Sequence, residues 1–275
     1  MSKHPALCAA TALVAAAALA CNGTDEEPNQ VLMNLAVMLP VPPLDSDSDW
    51  LLVGKYEVTR AQFEGVGITA NALPVVFVSR LEATAWAQQH GMRLPTKREW
   101  LHFTTAGNPG REIWGGALSG GTANVLELQA HRLLAVGVFE LGKNDWGLYD
   151  TRGNAWEWLA DDLNQAPHDF FGTNVIPHAQ AAGGSYANLT PALAGQVRVL
   201  EAGEKADDLG FRVVIEAIPW MREQLLPLWS SPGLREEMSN IFASWDSGLC
   251  QQLADRAAEL GLPEDFCLSL AAPVQ

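Results

Sequence analysis

The residues best suited to chemistry in this chain lie in one short segment, Gly147–Trp158 (GLYDTRGNAWEW). The carboxylates of Asp150 and Glu157 and the amide of Asn154 fall within eight residues there. Gly153 permits a left-handed bend that turns backbone carbonyls to one side. Because calcium takes about 6–8 oxygen ligands in irregular geometry, this loop has the composition of a calcium site.

The same carboxylates have a structural alternative, in which Asp150 and Glu157 cap turns and pair with Arg152 or Arg198. Histidines do not strengthen the case for a metal, because their positions show no metal-ligand spacing, and His131, His168 and His178 are predicted to be solvated loop residues. The histidines are His4, His90, His102, His131, His168 and His178.

Several short elements are predicted to position this segment. Three capping boxes mark helix starts, each with Thr or Ser followed three residues later by Gln or Glu. The boxes are Thr59 with Gln62, Ser79 with Glu82, and Thr96 with Glu99. The helices that follow them are predicted over 60–64, 81–90 and 97–105. Strands are predicted from β-branched and aromatic residues over 31–41, 50–59, 197–200 and 210–215.

The chain changes character after Ile215. Helical patterns recur over 220–229, 232–245 and 249–260, separated by proline and glycine. We therefore interpret 217–275 as a small helical C-terminal appendage that packs on the main domain. A separate protein-binding module is the alternative.

The N-terminus has the pattern of an export signal in residues 1–20. Lys3 precedes an apolar run, Ala6–Ala20, which ends in small residues before Cys21. The run is short for a bilayer span. It resembles the lipobox of bacterial lipoproteins, which implies lipidation of Cys21, a membrane contact through that anchor and a location in the cell envelope. An ordinary cleaved signal is the alternative. Residues 21–49 are predicted to form a tether and an N-terminal segment.

Cysteine content and charge limit the remaining possibilities. Beyond Cys21 the chain contains Cys250 and Cys267, and an exported chain with two remaining cysteines most simply forms one disulfide. A free or metal-binding pair is the alternative. The formal net charge of −15 disfavours a nucleic-acid partner, because phosphates are bound by clustered Lys and Arg.

Three segments in this order resemble the sulfatase-modifying-factor family: Arg93–Trp100 (RLPTKREW), Gly147–Trp158 and Asp207–Val214 (DDLGFRVV). The resemblance runs from about Tyr56 to about Val214. It implies an α+β, C-type-lectin-like formylglycine-generating-enzyme fold with low regular secondary structure, which we expect over 50–216.

The resemblance also implies structural calcium. One site would use the side chains of Asp150 and Glu157 with the carbonyls of Gly153 and Ala155. A second site would begin with the side chain of Asn124 and the carbonyl of Val125. The later Asp expected of that second site is not recognisable in 129–138, and Glu127 is a conceivable substitute.

The founding chemistry of the family is a different matter. The resemblance implies that two cysteines hold copper(I) between a Gly-Gly-Ser segment and a final Gly-Phe-Arg. This chain has Gly183–Ser185 and Gly210–Arg212, but 187–209 contains no cysteine. Related iron enzymes take histidines from an additional N-terminal helical domain, and 21–49 contains no histidine. Copper and iron are therefore both disfavoured.

Three functions follow as alternatives. The first is a non-catalytic binding or scaffolding module at the cell surface, with a peptide, protein or glycan as its unknown ligand. The second is an oxidoreductase of the same family that uses unidentified residues. The third is a lectin-like binder of glycans or peptides, for which Trp114 and Trp146 in glycine-rich loops are the aromatic candidates.

Overall fold

The computed structural model describes residues 26–66, 72–108, 121–163, 178–189 and 197–271. The predicted signal peptide, Cys21, Trp114 and His168 lie outside these residues. Within them the fold is α+β, as predicted. Its helices are α1 (Glu26–Ala36), α2 (Arg60–Glu64), α3 (Arg80–Gln89), α4 (Lys97–Thr104), α5 (Ala217–Trp220), α6 (Pro232–Phe242), α7 (Ser247–Glu259) and α8 (Glu264–Ala271).

The strands form two sheets. They are β1 (Met38–Val41), β2 (Leu51–Gly54), β3 (Trp156–Leu163), β4 (His178–Ala182), β5 (Arg198–Glu201), β6 (Leu209–Gly210) and β7 (Val214–Glu216). One sheet has the order β1-β2-β7 and the other β5-β4-β3-β6. All described pairs are antiparallel except β3 with β6, which are parallel.

The predicted strand over 210–215 is split between the two sheets. Its first part, β6, pairs with β3, and its last part, β7, pairs with β2. Gly210 allows the crossing, because a Cβ there would lie 2.2 Å from the carbonyl oxygen of Val75. The crossing carries Phe211 and Arg212 into the space between the sheets, where both are fully buried.

The predicted strand over 31–41 is wrong in its first half, which is the helix α1. Leu32 and Leu35 bury one face of this helix. Only Met38–Val41 is extended, as β1. Because β1 is an edge strand, Pro40 needs no ladder partner for its missing N–H.

The three capping boxes are confirmed. In each, the Thr or Ser side chain accepts the N–H of the third helical residue, whose side chain returns to the cap. The third box is held further by Arg93, which donates to Glu99 at 2.6 and 2.7 Å and to Glu216 of β7 at 2.6 Å. This ties α4 to the first sheet and fixes Trp100 in the core.

The helices after β7 share one hydrophobic core with the sheets. Trp220, Trp229 and Trp245 are buried in it. Arg256 of α7 also pairs with Asp49, in the loop between β1 and β2, at 3.0 Å. The C-terminal helices therefore lie against the N-terminal strands.

The predicted disulfide is not formed in the structure, where Cys250 and Cys267 are both free and buried. The Cys250 thiol contacts the carbonyl of Phe242 at 3.7 Å, and the Cys267 thiol contacts that of Leu262 at 3.8 Å. Each sulfur therefore points to the end of a neighbouring helix or turn and not to the other sulfur. Burial raises the pKa of Cys250 to about 11, which keeps it a thiol.

A search of the described residues finds no helix with the length and apolar content needed to cross a membrane.

Candidate functional site

A buried ion pair lies at the centre of the candidate site. Arg212, from the crossing between the sheets, donates to Glu157 of β3 with Nη2–Oε1 at 2.7 Å. The two side chains are 0% and 1% exposed. Burial alone would lower the pKa of Arg212, but the carboxylates of Glu157, Glu57 and Asp150 together outweigh burial and raise that pKa.

The remaining polar atoms of this pair are also bonded. Arg212 donates to the carbonyls of Gly54 and Tyr149, each at 2.8 Å. Trp100 donates its indole N–H to Glu157 at 2.8 Å. The ion pair therefore links β2, α4, β3 and the Gly147–Trp158 loop.

A second buried carboxylate, Glu57, lies on the other side of this loop. It accepts the N–H of Ala155 at 2.9 Å and the side-chain amide of Asn154 at 2.6 Å. Burial raises its pKa well above the ordinary value, and the negative charges of Asp150 and Glu157 add to the effect. Glu57 was missed by sequence reasoning, although a lone acid between Tyr56 and Val58 in an apolar run was an available signal.

Asp150 completes a group of three acids around one cation. Its backbone is left-handed, with φ of 54°, and its side chain accepts the N–H of Gly137 at 2.6 Å. Burial raises its pKa to about 6. We name Glu57, Asp150 and Glu157 the acid cluster. Among the described residues, the charge of one guanidinium, Arg212, acts on all three acids, so the cluster has excess negative charge.

The loop is held to the Asn124 segment by close backbone contact. Asn154 donates its N–H to the carbonyl of Asn124 at 2.7 Å. A Cβ on Gly153 would lie 2.2 Å from that same oxygen, and φ there is 74°, so only glycine fits. The two segments predicted to bind calcium are therefore adjacent.

Asn124 has an unsatisfied acceptor. Its side-chain amide donates to Asn154 Oδ1 at 2.8 Å and to the carbonyl of Arg132 at 2.9 Å. These bonds fix the amide orientation. The other atom, Oδ1, is buried and has no hydrogen-bond partner among the described residues, while the whole residue is 1% exposed. Such an orphaned oxygen normally has a ligand, water or ion.

The structure agrees with calcium binding in two respects and restricts the available ligands in a third. The acid cluster has uncompensated negative charge, and Asn124 Oδ1 is a free oxygen ligand. However, both oxygens of Glu157 already accept from Arg212, and no three His, Cys, Asp or Glu side chains in the described part of the chain are grouped to hold a metal. The first predicted calcium site would therefore depend on Asp150 and the carbonyls of Gly153 and Ala155, and the second on Asn124 and the carbonyl of Val125.

Of the alternative ion pairs predicted for the loop, Glu157 with Arg198 is wrong. Glu157 pairs with Arg212, whereas Arg198 pairs with Asp208 at 3.1 Å. Asp208 also accepts the hydroxyl of Ser185 at 2.7 Å. Ser185 belongs to the Gly-Gly-Ser landmark, so this second polar group lies where the resemblance places the catalytic region.

Comparison with known proteins gives a family for more than half of the chain. Residues 50–217 match the Sulfatase-modifying factor enzyme 1-like domain. The chain is 30% identical over 178 residues to Inactive C-alpha-formylglycine-generating enzyme 2 of Bos taurus, covering 59% of this chain and 57% of that protein. It is 34% identical over 122 residues to the formylglycine-generating enzyme of Streptomyces coelicolor, covering 40% of this chain and 38% of that protein.

A solved structure shows the same fold. Treponema denticola variable protein 1 superposes with a TM-score of 0.51 at 20% identity, covering 65% of this chain and 94% of that one. At this identity the likeness concerns the fold alone. This chain spans 57% of the length of the Bos taurus relative and 38% of the length of the Streptomyces coelicolor relative.

Proposed function

Since the chain belongs to the sulfatase-modifying factor enzyme 1-like domain family, we propose that it is a binding or scaffolding member that does not generate formylglycine. One observation carries the proposal: the matched residues 50–217 contain no cysteine. Copper(I) chemistry needs soft thiolate ligands. The cysteines beyond this region, Cys250 and Cys267, are buried thiols in the C-terminal helices, and burial raises the pKa of both.

The test is an oxidation assay on a peptide with the cysteine motif of a sulfatase. The purified protein is incubated with the peptide, copper, a thiol reductant and oxygen, and the aldehyde product is measured by mass spectrometry. The Streptomyces coelicolor enzyme serves as the positive control. We expect no aldehyde above the protein-free control, and sustained turnover would overturn the proposal. If turnover occurs, its loss in Cys250→Ala/Cys267→Ala would identify the C-terminal thiols as ligands.

Structural calcium is the second part of the proposal. It is supported by the excess charge of the acid cluster and by the orphaned oxygen of Asn124. Asp150→Asn is the informative variant, because Asn accepts the left-handed backbone and removes only the charge. Calcium should raise the melting temperature of the wild type above its value in chelator, and Asp150→Asn should lose most of that rise. Equal calcium responses would refute the site.

Glu157→Ala is a poor test of the same site. It would leave Arg212 buried and unpaired, so stability would fall with or without calcium. Asn124→Ala tests the second predicted site. It removes the orphaned oxygen but also two donor bonds, so its calcium response, and not its absolute stability, is the informative quantity.

We further propose that the protein is lipidated at Cys21 and located in a bacterial cell envelope. The support is the sequence pattern alone: a basic residue, an apolar run and small residues before the cysteine. Lipidation predicts membrane fractionation that is lost in Cys21→Ser and processing that is blocked by globomycin. Cleavage that continues unchanged in Cys21→Ser would indicate an ordinary signal peptide.

An oxidoreductase activity is the second candidate function. It is favoured by the identity to the Streptomyces coelicolor enzyme and by the group formed by Ser185, Asp208 and Arg198. Elemental analysis of the purified protein separates the two candidates. Calcium without copper or iron agrees with the binding role, whereas stoichiometric copper or iron would favour the oxidoreductase.

A further inference from the structure

A cavity of about 390 Å³ lies between α1 and α3, beside the acid cluster. We propose that it binds a small molecule without negative charge that has a flat or methylated apolar body and one hydroxyl or N–H group. The volume falls within the range of about 300–1,000 Å³ that is usual for small-molecule sites. The proposal goes beyond the function proposed above, because it does not depend on whether any family oxidation is retained.

The walls of the cavity are mainly apolar and adaptable. Met33 from α1, Met38 from β1 and Met92 after α3 line it together with Trp86. Methionine side chains are flexible and polarizable, and they make favourable contacts with aromatic rings. Such a lining favours a flat aromatic or methyl-rich ligand over a sugar or a peptide backbone.

Charge complementarity excludes an anionic ligand. Among the described residues that line the cavity there is no lysine or arginine. Its one carboxylate, Glu57, belongs to the acid cluster, which has excess negative charge. An anionic ligand would therefore lose its hydration without gaining an opposite charge, which is costly in a partly enclosed site.

His90 supplies a directed hydrogen-bond acceptor on this wall. Its Nδ1 lies 2.7 Å from the carbonyl oxygen of Trp86. A carbonyl can only accept, so Nδ1 carries the proton of the neutral ring and Nε2 carries the lone pair. A ligand hydroxyl or N–H group is the natural partner for that lone pair.

The aromatic wall is held in place before any ligand binds. Trp86 stacks on His90 with centroids 4.1 Å apart, on Phe63 at 6.0 Å, and edge-on against Phe211 at 5.6 Å. A rigid wall loses little side-chain freedom on binding, which favours affinity. The cavity therefore combines an ordered aromatic and imidazole wall with an adaptable methionine wall.

The experiment uses three matched probes and measures binding by equilibrium dialysis. The probes are 2-naphthol, which has a hydroxyl donor; 2-methoxynaphthalene, which has none; and 2-naphthoate, which is charged. We expect saturable binding of 2-naphthol at one site, about five-fold tighter than 2-methoxynaphthalene, the factor that one neutral hydrogen bond gives. We expect 2-naphthoate to bind more weakly than both.

Three variants test the location. His90→Phe keeps a ring on Trp86 but removes Nε2, so both neutral probes should then bind equally. Met33→Trp fills the cavity from α1 and should abolish binding. Leu81→Trp is its control, because Leu81 is 61% exposed on α3 and does not line the cavity. Thermal unfolding verifies that each variant is folded.

Several results would overturn the proposal. These are the absence of saturable 2-naphthol binding, equal affinity of the two neutral probes for the wild type, and binding that survives Met33→Trp. Tight binding of 2-naphthoate would overturn the assignment of a ligand without negative charge.

Discussion

Replacing Arg212 by methionine should be among the most destabilising single changes in this domain. The substitution keeps an apolar stem in the core and removes the cation that faces Glu157, Glu57 and Asp150. Breaking a buried ion pair from one side costs about 3–5 kcal/mol. The carbonyls of Gly54 and Tyr149 also lose their donors. We expect a loss of about 4 kcal/mol in the free energy of unfolding.

The assay is urea unfolding in chelator, followed by tryptophan fluorescence and far-UV circular dichroism. Arg98→Met is the matched control, because Arg98 pairs with Asp45 at 3.0 Å but its side chain is 76% exposed. An exposed pair contributes about 0–1 kcal/mol, so this variant should be nearly neutral. If Arg212→Met lost no more than Arg98→Met, the account of the buried cluster would be wrong.

Two further measurements sharpen the test. Arg212→Met/Glu157→Gln should recover more than about 1 kcal/mol of the loss, because it removes the charge left unpaired. The loss should also be larger at pH 8 than at pH 5. An acid whose pKa is raised on folding favours the folded state at low pH, and that contribution is lost as pH rises through the folded value, about 6 for Asp150. A pH-independent loss would contradict the electrostatic explanation.

The remaining predictions concern the backbone, a helix cap and the thiols. Phe77 has φ of 62°, in the left-handed region, and its side chain is 64% exposed. Because Asn tolerates this backbone conformation better, Phe77→Asn should stabilise the protein by about 1 kcal/mol in urea unfolding. A lower stability of the variant would show that the contacts of the Phe77 ring outweigh the backbone strain. Thr96→Ala removes the cap on the N–H of Glu99 and should cost about 1 kcal/mol, whereas Thr96→Ser should cost much less. In a variant without Cys8 and Cys21, Cys250 and Cys267 should not react with a thiol reagent in the native state, and two thiols per chain should react in denaturant. If no thiol reacts in denaturant, the two cysteines form the disulfide.

The sequence alone determined what depends on neighbours along the chain. The capping boxes at Thr59, Ser79 and Thr96 were predictable because each is closed within four residues. The strands Leu51–Gly54 and Arg198–Glu201 followed from their β-branched and apolar residues. The motif segments likewise predicted the family and an α+β fold.

Tertiary structure alone decided which charges meet. Glu57, Glu157 and Arg212 are 55 to 158 residues from several of the groups they contact, and the sequence offered Arg152 and Arg198 as equally reasonable partners. The choice of Arg212 depends on a chain crossing at Gly210 that no local pattern reveals. The prediction of a strand over 31–36, which belong to α1, was also wrong. The buried face of α1 is defined by the core that it packs against and by the cavity that it lines. Local hydrogen bonds can be predicted from short residue spacings, whereas burial, charge compensation and cavities form only when distant segments pack together.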